Sequence, residues 1–408
     1  MEDSALLEKL KGQKWDRITA DEDKGLRLLL PEQGQSQKIP YMYSPQLVIS
    51  FAKKIQEEQI INGFSALKKL GLLQDLQINV FLDLFADTPA FKDLLQKVSY
   101  QLGQLKVLKN LKILQVQSYS QGQEYLLNDI YNIVQLQNLG IQESWSIHQN
   151  NSNLLFDSTY ANQFQMIFKC SFLKRLSIDL TKNIECNEQF KEELRKLQNL
   201  VQLEEFHINS GIKNESFYDL LGYHLSKLPN LKHLGIGIEN NDIAEVGQFS
   251  NNIMRLSQNI CKSLSIESVT INTVRIGEQE VEYNQAIDFI SQIKQLTKLR
   301  IVALNHSNIL DKLNQFTSLQ SLNLVLDKTL NTQQLEALKS LTLLKRLDFF
   351  SVQIMDHQKL RELLATIKCL KNLTYISIPD YHWLIQKIKK ALPNLVEFEI
   401  IDSETAYQ

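Results

Sequence analysis

The chain has little cysteine: four residues in 408, at Cys170, Cys186, Cys261 and Cys369. None of them stand at C-x-x-C spacing, so the common zinc and dithiol signatures are absent. The first residues, MEDSALLEKLKGQKWD, are acidic and then amphipathic, without the apolar core of a signal peptide. Free, mostly buried thiols in a reducing compartment are therefore expected, and with them an intracellular, cytoplasmic location. No run of about eighteen apolar residues occurs, so no membrane span is expected. Charge of one sign is also missing. The formal net charge is −2, which gives no reason to expect nucleic acid or an anionic membrane as a partner. Catalytic signatures are absent too: no G-x-S-x-G, no P-loop, no H-E-x-x-H. The expectation is a protein that is not an enzyme and needs no cofactor.

What is present is a repeated phrase. Residues 228–238 read LPNLKHLGIGI and residues 392–401 read LPNLVEFEII. Looser copies are LKNLKILQV at 108–116, FLKRLSIDL at 172–180, LQNLVQLEEFHI at 197–208, LTKLRIVAL at 296–304, FTSLQSLNLVL at 316–326, LTLLKRLDF at 341–349 and LKNLTYISI at 370–378. Weaker ones are LQNLGI at 136–141 and SIESVTI at 265–271. The template is L-x-x-L-x-x-L-x-L. Its last two apolar positions fall at 114/116, 139/141, 176/178, 206/208, 234/236, 269/271, 302/304, 322/324, 347/349, 376/378 and 398/400. Steps averaging about 28 residues mark a solenoid.

Two periodicities alternate within each unit. The L-x-L end predicts a short strand with one buried face. The stretches before it have helical spacing, as in CNEQFKEELRKL at 186–197, ESFYDLLGYHLSKL at 215–228, TQQLEALKSL at 332–341 and DHQKLRELLATIKCL at 356–370. Asn187, Asn331 and Asp356 are the expected N-caps. One such unit cannot bury its own apolar stripe. Stacked neighbours can, with their strands forming a parallel sheet.

This template resembles that of leucine-rich-repeat proteins, of the long-repeat, helix-bearing type similar to ribonuclease inhibitor. The resemblance covers roughly residues 105–402 and could begin earlier, with LGLLQDLQINVFLDL at 70–84 as a degenerate first strand. It implies an α/β solenoid, a horseshoe with strands on the concave face and helices on the convex face. The family's asparagine after the strand is missing, its places held by residues such as Tyr119, Thr181 and Gly211. Irregular turns are expected, above all across 142–172 and 239–268. Residues 1–60 do not fit the template and are expected to form a helical and loop cap, with a strand at Leu26–Leu30 and a helix over 46–71. Residues 61–408 would form about eleven irregular repeats.

Such solenoids bind partners along the strand face, so the outward residues matter. Val325, Phe350 and Tyr375 are apolar or aromatic where the pattern predicts exposure, with Arg346 and Asp348 beside them and Tyr381 and Trp383 in the next loop. Aromatic residues and arginine dominate interface hot spots. These seven are the candidate site for a protein partner. In copy 296–304 the template also turns Ile301 and Ala303 outward.

Three weaker features complete the search. His207 and His233 point outward on successive strands with Glu205 nearby, a constellation that either holds a metal or is a polar surface. GIGIEN at 235–240 has two glycines of a dinucleotide fingerprint and no third, so it reads as small residues on a strand. Leu30-Pro31-Glu32 gives three letters of an F-box, the module that precedes such repeats in ubiquitin-ligase substrate receptors. The leading expectation is a non-enzymatic adaptor or structural subunit of an intracellular assembly. The alternatives are a ubiquitin-ligase receptor and an activator of a small GTPase.

Overall fold

The computed structural model describes residues 17–21, 25–29, 46–51, 75–81, 89–116, 129–133, 135–144, 164–180, 188–210, 215–239, 246–274, 281–303, 308–326, 330–351, 357–379, 388, 390, 392 and 394–401. Chain contacts divide it into two compact units. The first holds 1–181 with 187–203, the second 182–186 with 204–408.

In the first unit a hairpin of β1 (Arg17–Asp21) and β2 (Gly25–Leu29) pairs antiparallel. Five parallel strands follow in chain order: β3 (Gln46–Phe51), β4 (Asp75–Phe81), β5 (Asn110–Val116), β6 (Asn138–Ser144) and β7 (Arg175–Leu180). Helix α1 (Pro89–Gly103) lies between β4 and β5, and α2 (Glu188–Arg195) follows β7. The strand expected at Leu26–Leu30 is present as β2. The degenerate strand expected within 70–84 is present as β4.

The second unit repeats one connection. Strands β8 (Glu205–Ser210), β9 (His233–Glu239), β10 (Ser268–Val274), β11 (Lys298–Ala303), β12 (Ser321–Leu326), β13 (Arg346–Ser351), β14 (Tyr375–Pro379) and β15 (Glu397–Ile401) pair parallel, each with the next in sequence. Between them run α3 (Glu215–Leu225), α4 (Val246–Ile260), α5 (Val281–Ser291), a 3₁₀ segment (Asn308–Gln315), α6 (Thr332–Lys339) and α7 (His357–Cys369). The stretch 239–268, where irregular turns are expected, contains the regular helix α4. Asn331 caps α6 as expected. Its side chain accepts from the Gln334 N–H while the Gln334 side chain accepts from the Asn331 N–H, both at 2.9 Å. Asn187 and Asp356 lie outside the described residues. This alternation of helix and parallel strand is the architecture of a leucine-rich-repeat-like α/β solenoid.

The spacing of three in L-x-x-L has a local cause. Leu200 N–H bonds the Leu197 carbonyl, Leu203 bonds Leu200, Leu344 bonds Leu341 and Leu373 bonds Leu370. These are i to i+3 turns, in which side chains three apart eclipse and point one way. The leucines thus leave the helix as a column and enter the strand already aimed at the core. Leu228, Leu231, Leu234 and Ile236 are all at 1% exposure or less. Each fully buried Leu or Ile contributes about 1.5–3 kcal/mol.

Stacking is fixed at the strand entry by the backbone. The N–H groups of Lys232 and His233 both donate to the Glu204 carbonyl at 2.8 and 3.0 Å. Glu267 and Ser268 donate to Lys232, Thr297 and Lys298 to Glu267, Gln320 and Ser321 to Thr297, and Lys345 and Arg346 to Gln320. One carbonyl per repeat serves two donors of the next. This ladder stands at the opposite end of the strand from the missing asparagines and uses no side chain.

Three expectations need correction. Residues 46–51, assigned to a helix within the N-terminal cap, form strand β3, with Leu47 and Ile49 in register with Leu76 and Ile78. In β5 the core register runs through Leu111 and Ile113, not 114/116, because these stand opposite Leu76/Ile78 and Leu139/Ile141. In β11 it runs through Leu299 and Ile301, opposite Leu322 and Leu324, not 302/304. Ile301, expected to face outward, has no exposure at all.

Candidate open face of the second unit

Alternation places two or three residues of each strand named below on the face away from the leucines. On β8 these are Glu205, His207 and Asn209, and on β9 they are His233, Gly235 and Gly237. Ser268, Thr270 and Asn272 follow on β10, then Lys298, Arg300 and Val302 on β11. Ser321, Asn323 and Val325 stand on β12, and Arg346, Asp348 and Phe350 on β13. Tyr375 and Ser377 on β14 are opposite Glu397 and Glu399 on β15.

The structure connects four of these residues in a chain across three strands. Arg346 donates to both carboxylate oxygens of Asp348, from Nε at 2.7 Å and from a terminal nitrogen at 3.0 Å. Its guanidinium lies 3.9 Å from the ring centroid of Tyr375, the geometry of a cation–π contact. The Tyr375 hydroxyl donates to the Glu399 carboxylate. Partial burial, seconded by the Glu399 hydrogen bond, pushes the Tyr375 phenol up to about 12. The hydrogen bonds to Asp348 hold the Arg346 guanidinium above its ordinary value. Asp348 is buried at 7% exposure, while the Arg346 side chain remains half exposed. The arginine is thus fixed on its carboxylate side and offers its remaining donors to solvent.

Val325 and Phe350 do not stand in the open. They are 3% and 5% exposed and form a small apolar cluster with Val302, the three in successive register on β11, β12 and β13. The pattern assigned them outward correctly, but this end of the open face is itself covered. Of the seven candidate residues, Arg346, Asp348 and Tyr375 are brought together and Val325 and Phe350 are buried beside them. Tyr381 and Trp383 lie outside the described residues, as does Leu30-Pro31-Glu32. Glu399 was not among the seven, although its place two residues after Glu397 on a strand puts it on the Tyr375 face.

The histidine constellation resolves differently. Glu205 Oε1 and His207 Nε2 are 2.6 Å apart. His233 stands opposite Glu205 in register. His207 is turned onto β9, where it covers Gly235: a Cβ there would come within 2.7 Å of the imidazole Cε1. Asn209 lies over Gly237 in the same way, its Cγ 3.0 Å from where a Cβ would stand. The two glycines of GIGIEN make room for side chains of the neighbouring strand. Among the described residues no group of three or more His, Cys, Asp and Glu could hold a metal ion, and no helix is long and apolar enough to cross a membrane.

No model of a known protein family matches the chain, and neither does any curated protein. Two solved structures illustrate the level of similarity. A Bacteroides fragilis protein is 15% identical with a TM-score of 0.35, over 55% of this chain and 74% of its own. The complex of TLR13 with ssRNA13 is 14% identical with a TM-score of 0.34, over 87% of this chain. The chain spans about half of the TLR13 chain, 51%. Values this low carry no argument about function, and the reading of this protein rests on its own residues.

Proposed function

We propose that this chain is a leucine-rich-repeat solenoid of horseshoe shape that binds a protein partner and acts as an adaptor or structural subunit of an intracellular, cytoplasmic assembly, without catalytic activity. The observation that carries this reading is the fixed Arg346 stacked on Tyr375. A planar cation held by Asp348 and an aromatic ring anchored by Glu399 have little side-chain entropy left to lose on association. Arginine and tyrosine in such settings are the residues that dominate interface energetics.

The test is affinity purification of the tagged full chain from its native source, compared with Tyr375→Ala and Arg346→Lys. The lysine keeps a partner for Asp348 and loses the planar fork. A partner retained at stoichiometric amount by the wild type, and at least about tenfold weaker with both variants, supports the reading. Absence of any retained partner, or equal retention by the variants at unchanged thermal stability, sinks it.

A further inference from the structure

The open face of the second unit has a stretch of charge that no ion pair opposes among the described residues. Lys298 and Arg300 stand two apart on β11, on the same face. Among the described residues neither forms an ion pair, whereas Arg255 is paired with Glu215 and Asp219, Lys312 with Asp288, and Arg346 with Asp348. The Arg300 Nε is buried and has no acceptor, and the Asn272 Oδ1 on the neighbouring strand is buried without a donor. The open-face positions beside the two cations are neutral and polar: Ser268 and Thr270 on β10, Ser321 and Asn323 on β12.

Asp348 and Glu205 on this face stand further off and are engaged. Asp348 is two strands from Arg300, about 10 Å at ordinary strand spacing, and is held by Arg346 through two hydrogen bonds. Glu205 is three strands from Lys298, about 14 Å, and is bonded to His207. Both distances exceed the reach of an ion pair and are at or beyond the Debye length in physiological salt, about 8 Å.

We propose that β10–β12 bind an acidic, extended segment of the protein partner, with carboxylates at alternate positions taken by Lys298 and Arg300. The claim rests on the protein-binding reading above and specifies the chemistry of what is bound. The two cations are about 6.6 Å apart along the strand, the repeat of alternate side chains in an extended peptide. The peptide's carboxylates supply the opposite charge that neither cation meets among the described residues, and the flanking hydroxyl and amide groups donate to its remaining oxygens. A nucleic-acid strand fits less well. It requires a track of cations and aromatic platforms for its bases, and the two aromatic rings identified on this face are engaged, Tyr375 stacked under Arg346 and Phe350 buried beside Val302 and Val325.

Fluorescence anisotropy with the full chain tests this, using a labelled peptide of alternating Glu and Val, its Gln–Val counterpart, a Lys–Val peptide and a single-stranded oligonucleotide. The expected result is binding of the Glu peptide that weakens as salt rises, with no comparable binding of the Gln peptide. Lys298→Glu with Arg300→Glu should weaken it by at least about tenfold and confer binding of the Lys peptide, which also shows that the variant is folded. Equal affinity for Glu and Gln peptides, unchanged affinity in the double variant, or an oligonucleotide that displaces the peptide from these residues would overturn the proposal. A native partner lost with Tyr375→Ala but retained in full by the double variant overturns this inference and leaves the protein-binding reading standing. Glu-peptide binding without any native partner does the reverse.

Discussion

The imidazole of His207 occupies the space above Gly235 that a side chain on β9 would fill. Added there, a Cβ would meet three ring atoms, Cγ at 2.8 Å among them. Gly235→Ala must therefore turn His207 away and disturb its 2.6 Å contact with Glu205. The expected destabilisation is about 1–3 kcal/mol, the usual range for overpacking. It should shrink in a His207→Ala background, with a coupling of at least about 0.5 kcal/mol. Urea unfolding of the four proteins in the cycle measures it. Strictly additive effects would show that the ring moves aside freely.

Phe350 belongs to the fold before it belongs to any interface. It is 5% exposed beside Val302 and Val325. Phe350→Ala should lower stability by about 3–5 kcal/mol, since the cavity adds to the lost burial. A loss of partner binding in that variant would therefore report unfolding. Tyr375→Ala separates the two effects, because Tyr375 is only partly buried. A Phe350→Ala protein with wild-type unfolding midpoint would refute the burial argument.

The capping box of α6 offers a cleaner stability test. Asn331 is exposed and its side chain satisfies the Gln334 N–H. Asn331→Ala should cost about 1 kcal/mol, and Asn331→Ser should recover most of it. Equal loss in both would mean that the contribution does not come from the cap.

The residues explain which parts of the fold could be read from sequence. Helix-to-strand links were legible wherever the column of leucines has one reading, as in Leu228, Leu231, Leu234 and Ile236. The register of β11 was ambiguous because Val302 is apolar on the open face. LTKLRIVAL then contains two L-x-L pairs, and only the upstream Ile293 and Leu296 decide for Leu299 and Ile301. LKNLKILQV poses the same problem. Strand β3 escaped because no L-x-x-L column leads into QLVISF and a helical pattern follows it. The carbonyl ladder has no sequence signal, being made by the backbone. At the candidate site the outward positions of Arg346, Asp348 and Tyr375 were legible. Their mutual bonds and the burial of Phe350 depend on side-chain conformations and on neighbouring strands.

Thiol reactivity should divide the cysteines by burial. Burial pushes the Cys170 thiol up to about 12, so almost no thiolate exists there near neutral pH. Cys369 is free and exposed near the C-terminus of α7. Iodoacetamide under native conditions should alkylate Cys369 and leave Cys170 intact until urea unfolds the chain, as read by peptide mass spectrometry. Equal early labelling of both would show that the first unit opens locally around Cys170.

Tyr375 supplies a pH signature for the cation–ring–carboxylate chain. Its phenol is raised from 10.0 to about 12, so the fold favours the neutral form. Between these values the unfolded chain releases the proton while the folded one keeps it. Stability from this group is therefore complete below pH 10 and is lost as pH rises towards 12. The other tyrosines titrate in both wild type and Tyr375→Phe, so the difference between the two isolates this residue. The phenylalanine keeps a ring beneath Arg346 and removes only the ionisable hydroxyl. Urea midpoints should fall more steeply above pH 10 in the wild type than in Tyr375→Phe. Parallel curves would show that burial and the Glu399 hydrogen bond do not act on this phenol, and Arg346 would then rest on a ring that nothing anchors.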